Sequence, residues 1–251
     1  AFAEFAKSKL GDRVHNALVE NSLKPELIGH VSRDSTAIEG REKPVKKMPK
    51  QKAAPRKRGR PAKGEQREPK EQTRLERQCE QSAQEALEEL PAFCDVGTKK
   101  NSKGFKETWI GYKLHVDVND CGLPISVALT AASVHDSQVA IPLMKMSSAK
   151  VDYLYDVMDA AYDAGPIYEV SRSLGHVPLI DKNPRGKEVV PMAPHEATRY
   201  NERTAVERFN SRIKEEFGAD NVMVRGTQKV KMHLMFGVLA LFADHLIKLA
   251  N

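Results

Sequence analysis

"WIGYKLHVDVNDCGLPISVALTAAS", residues 109–133, alternates side-chain character on both sides of Asn119-Asp120-Cys121-Gly122. A period of two marks a strand, and a turn-forming run between two such stretches predicts a β-hairpin. Upstream, the centre of "LKPELIGHVSRDSTAIEG", from Ile28 to Ile38, is short, β-branched and apolar enough for another strand. Downstream, "HDSQVAIPLMKM" predicts a helix with Ser133 or Asp136 as its N-cap. "VDYLYDVMD" (151–159) then reads as a strand, "GPIYEVSRSLG" (165–175) as a helix and "HVPLIDKN" (176–183) as a strand. Helices are expected over 2–22, 73–91, about 198–217 and 233–250. The last is apolar but carries Asp244, His245 and Lys248. It reads as a buried core helix, too short to span a membrane.

This order places three antiparallel strands before two parallel ones that alternate with helices. The expected fold is α/β: a ribonuclease-H-like mixed five-stranded sheet flanked by helices, with a basic insertion after the first strand. The expected organisation is an N-terminal helical segment at 1–25, a catalytic domain at 26–42 and 92–251, and the insertion at 43–91. The chain starts "AFAEFAKSKL" in helical rhythm and without methionine, so a further N-terminal portion is expected. Three widely spaced cysteines with no Cys-x-x-Cys pair argue against a disulfide framework and a zinc site. They fit a reducing, cytoplasmic compartment.

The net charge of +6 is unevenly spread. Between Lys43 and Lys70 about twelve basic residues face two acidic ones, and the rest of the chain is slightly acidic. Large apolar residues are nearly absent there, so that stretch cannot fold alone and is suited to binding a polyanion. Within it, "PRKRGRPAKG" resembles an AT-hook, making Lys57, Arg58 and Arg60 candidates for the minor groove of A·T-rich DNA. A generic polybasic linker is the other reading. "TKKNSKGFK", with Lys99, Lys100, Lys103 and Lys106, is a second candidate DNA-contacting loop. Trp109 is either a packing residue or a platform for an unpaired base. His115, His135 and His176 have no partner pattern and read as structural.

In "YNERTAVERFNSRIK" (200–214), Tyr200, Arg203, Glu207 and Lys214 fall within roughly 60° of one another on a helix. Val206, Phe209 and Ile213 form a separate apolar stripe. Acidic residues elsewhere could join that face. Asp34 lies in the first strand and Asp159 ends the strand at 151–159, where active-site groups emerge in open sheets. Asp156 points along that strand's interior and Asp163 falls in the following turn. Three clustered carboxylates repel one another unless a cation neutralises them, and hard oxygen donors suit Mg²⁺ or Mn²⁺.

Tyr-x-x-Arg-x-x-x-Glu-x-x-x-x-x-x-Lys resembles the signature of DDE transposases from bacterial insertion sequences, matched at every position by residues 200–214. "DAAYD" resembles that group's second-aspartate block and "RDST" its first. "WIGYKLHVDV" and "LTAASVHDSQ" resemble its hairpin and following helix. The resemblance runs from about residue 26 to the end. It implies that Asp34, Asp159 and Glu207 hold two Mg²⁺ ions, with Mn²⁺ as substitute, and that Tyr200, Arg203 and Lys214 contact phosphates. It also implies cleavage and joining of DNA within a homo-oligomer pairing two element ends. "CDVGTK" (94–99) resembles a first-aspartate block too, so Asp95 competes with Asp34; Asp34 is preferred because "GHVSRDSTAIEG" reads as a complete strand, whereas Asp95 follows Pro91 in a loop. A nuclease of the same fold and a non-catalytic DNA-binding remnant are the rival functions.

Overall fold

The structure, a computed structural model, describes residues 2–46, 71–100, 103–185 and 188–250. Its strands are β1 (Ile28–Glu39), β2 (Asp95–Lys100), β3 (Lys106–Asn119), β4 (Pro124–Ala131), β5 (Tyr153–Met158) and β6 (Val177–Ile180). Its α-helices are α1 (Phe2–Lys7), α2 (Leu10–Ser22), α3 (Arg74–Glu80), α4 (Ala83–Glu88), α5 (Ser137–Ser148), α6 (Gly165–Ser173), α7 (Pro194–Tyr200), α8 (Thr204–Glu215) and α9 (Thr227–Ala250).

The β3–β4 turn forms as its residues dictate. Asn119 accepts Leu123 N–H on its side-chain Oδ1 at 2.8 Å and Gly122 N–H on its carbonyl at 2.9 Å. Gly122 takes the left-handed φ of 82° that such a turn needs. β1 then runs antiparallel to β3 and parallel to β5, with β6 parallel on β5's far side. β4 pairs with β3 and carries one sheet edge.

A sixth strand, β2, joins the five expected. It pairs antiparallel with the first half of β3, from Asp95 opposite Gly111 to Lys100 opposite Lys106. Asp95 therefore opens a strand rather than sitting in a loop. Gly111 is where β1, β2 and β3 meet. Its φ is 153°, and a Cβ there would lie 2.1 Å from the Ile38 carbonyl oxygen.

Two expected helices are each divided. The first breaks at Lys9, whose φ of 54° is left-handed. Residues 73–91 form α3 and α4, each opened by its own capping box, Thr73 with Glu76 and Ser82 with Glu85. Two competent start signals nine residues apart make two short helices in place of one.

One sheet face packs on α8 and α9 through Ile38, Tyr112, Leu114 and Val116 against Val206, Phe209, Ile213 and Leu234. The other packs on α5 and α6 through Met158 and Ile180 against Ile141, Met144, Ile167 and Val170. At 24 residues α9 is long and apolar enough, by composition, to cross a membrane. Its Val230, Leu234, Val238 and Leu241 instead lie in the protein core. The basic candidates Lys57, Arg58 and Arg60 lie outside the described residues.

Candidate active site

Parallel pairing of β1 with β5 sets Ser32 opposite Val157. Two residues further along each chain, the same register brings Asp34 beside Asp159, on one face because side chains alternate. That face is covered by α8, which contributes Glu207. The three carboxylates surround one guanidinium. Arg203 lies 3.8 Å from Asp34 Oδ2, 3.6 Å from Asp159 Oδ2 and 2.5 Å from Glu207 Oε1.

Each carboxylate is held differently. Asp34 is one-fifth exposed and accepts a hydrogen bond from Asn210 Nδ2 at 3.1 Å. Burial pushes its carboxyl up to about 6; the Ser35 N–H and Arg203 oppose this, while Asp159 and Asp136 add to it. Asp159 caps the 3₁₀ turn Ala160–Tyr162 by accepting Ala161 N–H at 2.8 Å. Its carboxyl is also raised, mainly by burial. The Glu207 side chain is 55% exposed, which leaves it room to change rotamer.

The continuous helix expected over 198–217 is interrupted. α7 starts at Pro194 and ends at Tyr200, a 3₁₀ turn covers Asn201–Arg203, and α8 follows. The Glu202 carbonyl accepts a hydrogen bond from Ser32 Oγ at 3.1 Å, which ties this turn to β1. The break brings Arg203 over the carboxylates. Tyr200 is half-buried beside Arg203; burial pushes its hydroxyl up to about 12, so it is a donor at neutral pH. Lys214 lies 3.8 Å from Asp220, an ion pair away from the three carboxylates.

The competing aspartates have other work. Asp95 is 1% exposed and accepts both the backbone N–H of Ser133 at 2.9 Å and its hydroxyl at 2.5 Å. It fastens β2 to the loop after β4. Asp163 accepts from the Tyr168 hydroxyl and the Asn183 N–H. Asp156 is fully buried, where Arg33, Tyr153 and Ser171 reach it. Trp109 does not offer a stacking face. Its ring lies on Gly97, where a Cβ would come 2.4 Å from Cζ2, and its Nε1 donates to the Tyr112 carbonyl. His115 and His176 are buried and hydrogen-bonded, His115 to Thr130 and His176 to the Tyr153 carbonyl. His135 Nδ1 lies 2.8 Å from Ser137 Oγ.

Three features of the site escape a reading by motif. Beneath Asp34, on the opposite sheet face, Arg33 is wholly buried between Asp117 at 2.7 Å and Asp156 at 3.4 Å. Asp136 does not cap α5 with its side chain. Its Oδ1 accepts from Ser35 at 2.7 Å and Lys113 at 2.9 Å. Asn210 is the third. The available signal for Asp117 is a charge between Val116 and Val118 in β3, and for Asn210 the three-residue step from Glu207; Arg33, in a strand of mixed character, has none.

Among the described residues, no three His, Cys, Asp or Glu side chains stand close enough to hold one ion. The donors nevertheless fit a hard divalent cation in kind: two partly buried carboxylates and one exposed one, already arranged about a positive charge. No curated protein matches the chain. The family model for the transposase DDE domain matches residues 29–243, a span that starts in β1, ends in α9 and takes in Asp34, Asp159 and Glu207. On that match over most of its length, the chain belongs to the transposase DDE domain family.

Proposed function

We propose that this chain is the catalytic domain of a DNA transposase, and that Asp34, Asp159 and Glu207 hold two divalent cations, Mg²⁺ or substituting Mn²⁺. The observation carrying this reading is the convergence of the three carboxylates, from β1, β5 and α8, on the Arg203 guanidinium. The family acts on DNA and generally uses divalent metals. Bound cations would supply Lewis-acid activation of a water or 3′-hydroxyl and stabilisation of the leaving oxygen at a phosphodiester.

The chain's own groups hold and orient. Arg203 offsets part of the carboxylates' charge in the metal-free protein. Once the cluster is neutralised by other means, its planar fork is free to take a DNA phosphate in two parallel hydrogen bonds. Tyr200 donates its hydroxyl to a neighbouring phosphate oxygen. Lys214, leaving a weak, partly exposed pair with Asp220, supplies a point charge further along the strand. Cleaved ends would be joined to target DNA in a homo-oligomer that pairs two element ends, with the basic sequence containing Lys57, Arg58 and Arg60 adding salt-dependent affinity.

Nicking of supercoiled plasmid in Mg²⁺ or Mn²⁺ tests this. Cutting should stop in EDTA and fall at least a hundredfold in Asp34→Asn, Asp159→Asn and Glu207→Gln. Asp95→Asn should cut at the native rate per folded molecule. Loss of cutting in Asp95→Asn with retention in Asp34→Asn would overturn the assignment. Cut ends that never join a target would instead identify a nuclease of this fold, and DNA binding without cutting a non-catalytic protein.

A further inference from the structure

Asn210 lies one helical step from Glu207 on α8, and its amide Nδ2 donates to Asp34 Oδ2 at 3.1 Å. Its Oδ1 is buried with no hydrogen-bond partner. The flipped amide would set that oxygen against the charged Asp34 carboxylate, so the orientation is dictated by Asp34. An unsatisfied buried acceptor weakens a fold. Position 210 adjoins the apolar residues Val206, Phe209 and Ile213 on α8, where a leucine of similar size would remove that penalty. The amide is therefore present for its donor.

The chemistry of the donor matters as well. A lysine or arginine here would cancel the charge of Asp34 and compete with any incoming cation. A second carboxylate would repel it. A neutral amide fixes the plane of the carboxylate while leaving its charge available.

Resting on the proposed reading of the site, we infer that Asn210 is a positioning residue, orienting Asp34 for cation binding. It locks one oxygen towards α8, so that the carboxylate does not rotate between useful and useless geometries.

Mn²⁺ binding to the DNA-free chain, followed by the loss of the free-ion electron paramagnetic resonance signal, separates this role from a structural one. Asn210→Leu, which keeps the side-chain size, should bind Mn²⁺ about ten- to a hundredfold more weakly. It should melt at or above the native temperature. Asn210→Ala should show the same loss of affinity, and DNA binding in EDTA should be unchanged in both. Asn210→Leu that binds Mn²⁺ within twofold of the native chain overturns the role of Asn210 alone. If the native chain binds no Mn²⁺, or Asp34→Asn binds it equally well, the reading of the site fails, and the role of Asn210 with it.

Discussion

Asp34 carries its charge at neutral pH against the preference of its surroundings. Burial raises its carboxyl to about 6, above the value near 4 of an unfolded chain. A raised carboxyl means that the folded protein binds the proton more tightly. Its contribution to stability is therefore full below about pH 4 and is lost as pH rises towards 6. The shift corresponds to roughly 3 kcal/mol in the absence of a cation. Asp34→Asn removes this dependence while keeping the side-chain shape. Melting curves in EDTA from pH 4 to pH 7 should show the native chain losing ground steadily to Asp34→Asn; parallel curves would sink the idea. The destabilised charge is what a cation would repay on binding.

At the scale of elements, β1 works on both faces of the sheet at once. Asp34 faces α8, while Arg33, the preceding residue, points the other way into a fully buried network. Arg33 joins Asp117 of β3 to Asp156 of β5, Ser147 of α5 donates to Asp117 at 2.6 Å, and Ser171 of α6 donates to Asp156 at 2.6 Å. Three neighbouring strands and two helices are thus cross-linked directly beneath the site. Removing the cation leaves two carboxylates buried without a partner charge. Arg33→Met should destabilise the chain by about 3–5 kcal/mol, read from urea unfolding. Replacing all three charged residues by apolar ones of similar size should recover much of that loss, since the network's value lies in its pairing. A triple variant no more stable than Arg33→Met would show that the charges stabilise the fold outright. The strand itself was legible from Ile28 to Ile38, because β-branched residues and alternation are local signals. The network was not. Alternation alone sends Arg33 and Asp34 to opposite faces, but only the pairing of β1 with β3 and β5 buries Arg33 between Asp117 and Asp156.

At the scale of the whole molecule, burial of neutral histidines sets the acid limit. His15 accompanies the Pro124 carbonyl and His115 accompanies Thr130, both deep in the protein. Burial pushes each down to about 4 from an ordinary 6.5, with Lys150 adding to the shift at His15. At His115, Lys113 adds to it and Asp136 opposes it. The unfolded chain therefore binds protons that the folded one refuses, and stability falls as pH drops from about 6.5 towards 4. This is opposite in sign to the Asp34 effect and worth about 3 kcal/mol per histidine. His115→Gln should lose less stability between pH 6.5 and pH 4.5 than the native chain, measured by urea unfolding. An equal loss would place the acid sensitivity elsewhere.

The sequence by itself determined most of the elements and the match to the transposase DDE domain family. The hairpin around Asn119–Gly122, the strand at 151–159 and the apolar stripe Val206, Phe209 and Ile213 all follow from spacing within a few residues. It also put Tyr200, Arg203, Glu207 and Lys214 in one segment. What only the tertiary structure decided is which aspartate stands beside Asp159 and Arg203. Asp34 and Asp95 both sit in strands within similar-looking blocks, and no local pattern separates them. The β1–β5 register sets one against Arg203, and the β2–β3 pairing sets the other against Ser133. Tertiary contact likewise broke the helix at Asn201–Arg203 and aimed Asn210 at Asp34. A carboxylate's chemistry is set by the charges and donors within a few ångströms, and partners 123 to 176 residues away in the chain arrive there only when the sheet and α8 have packed.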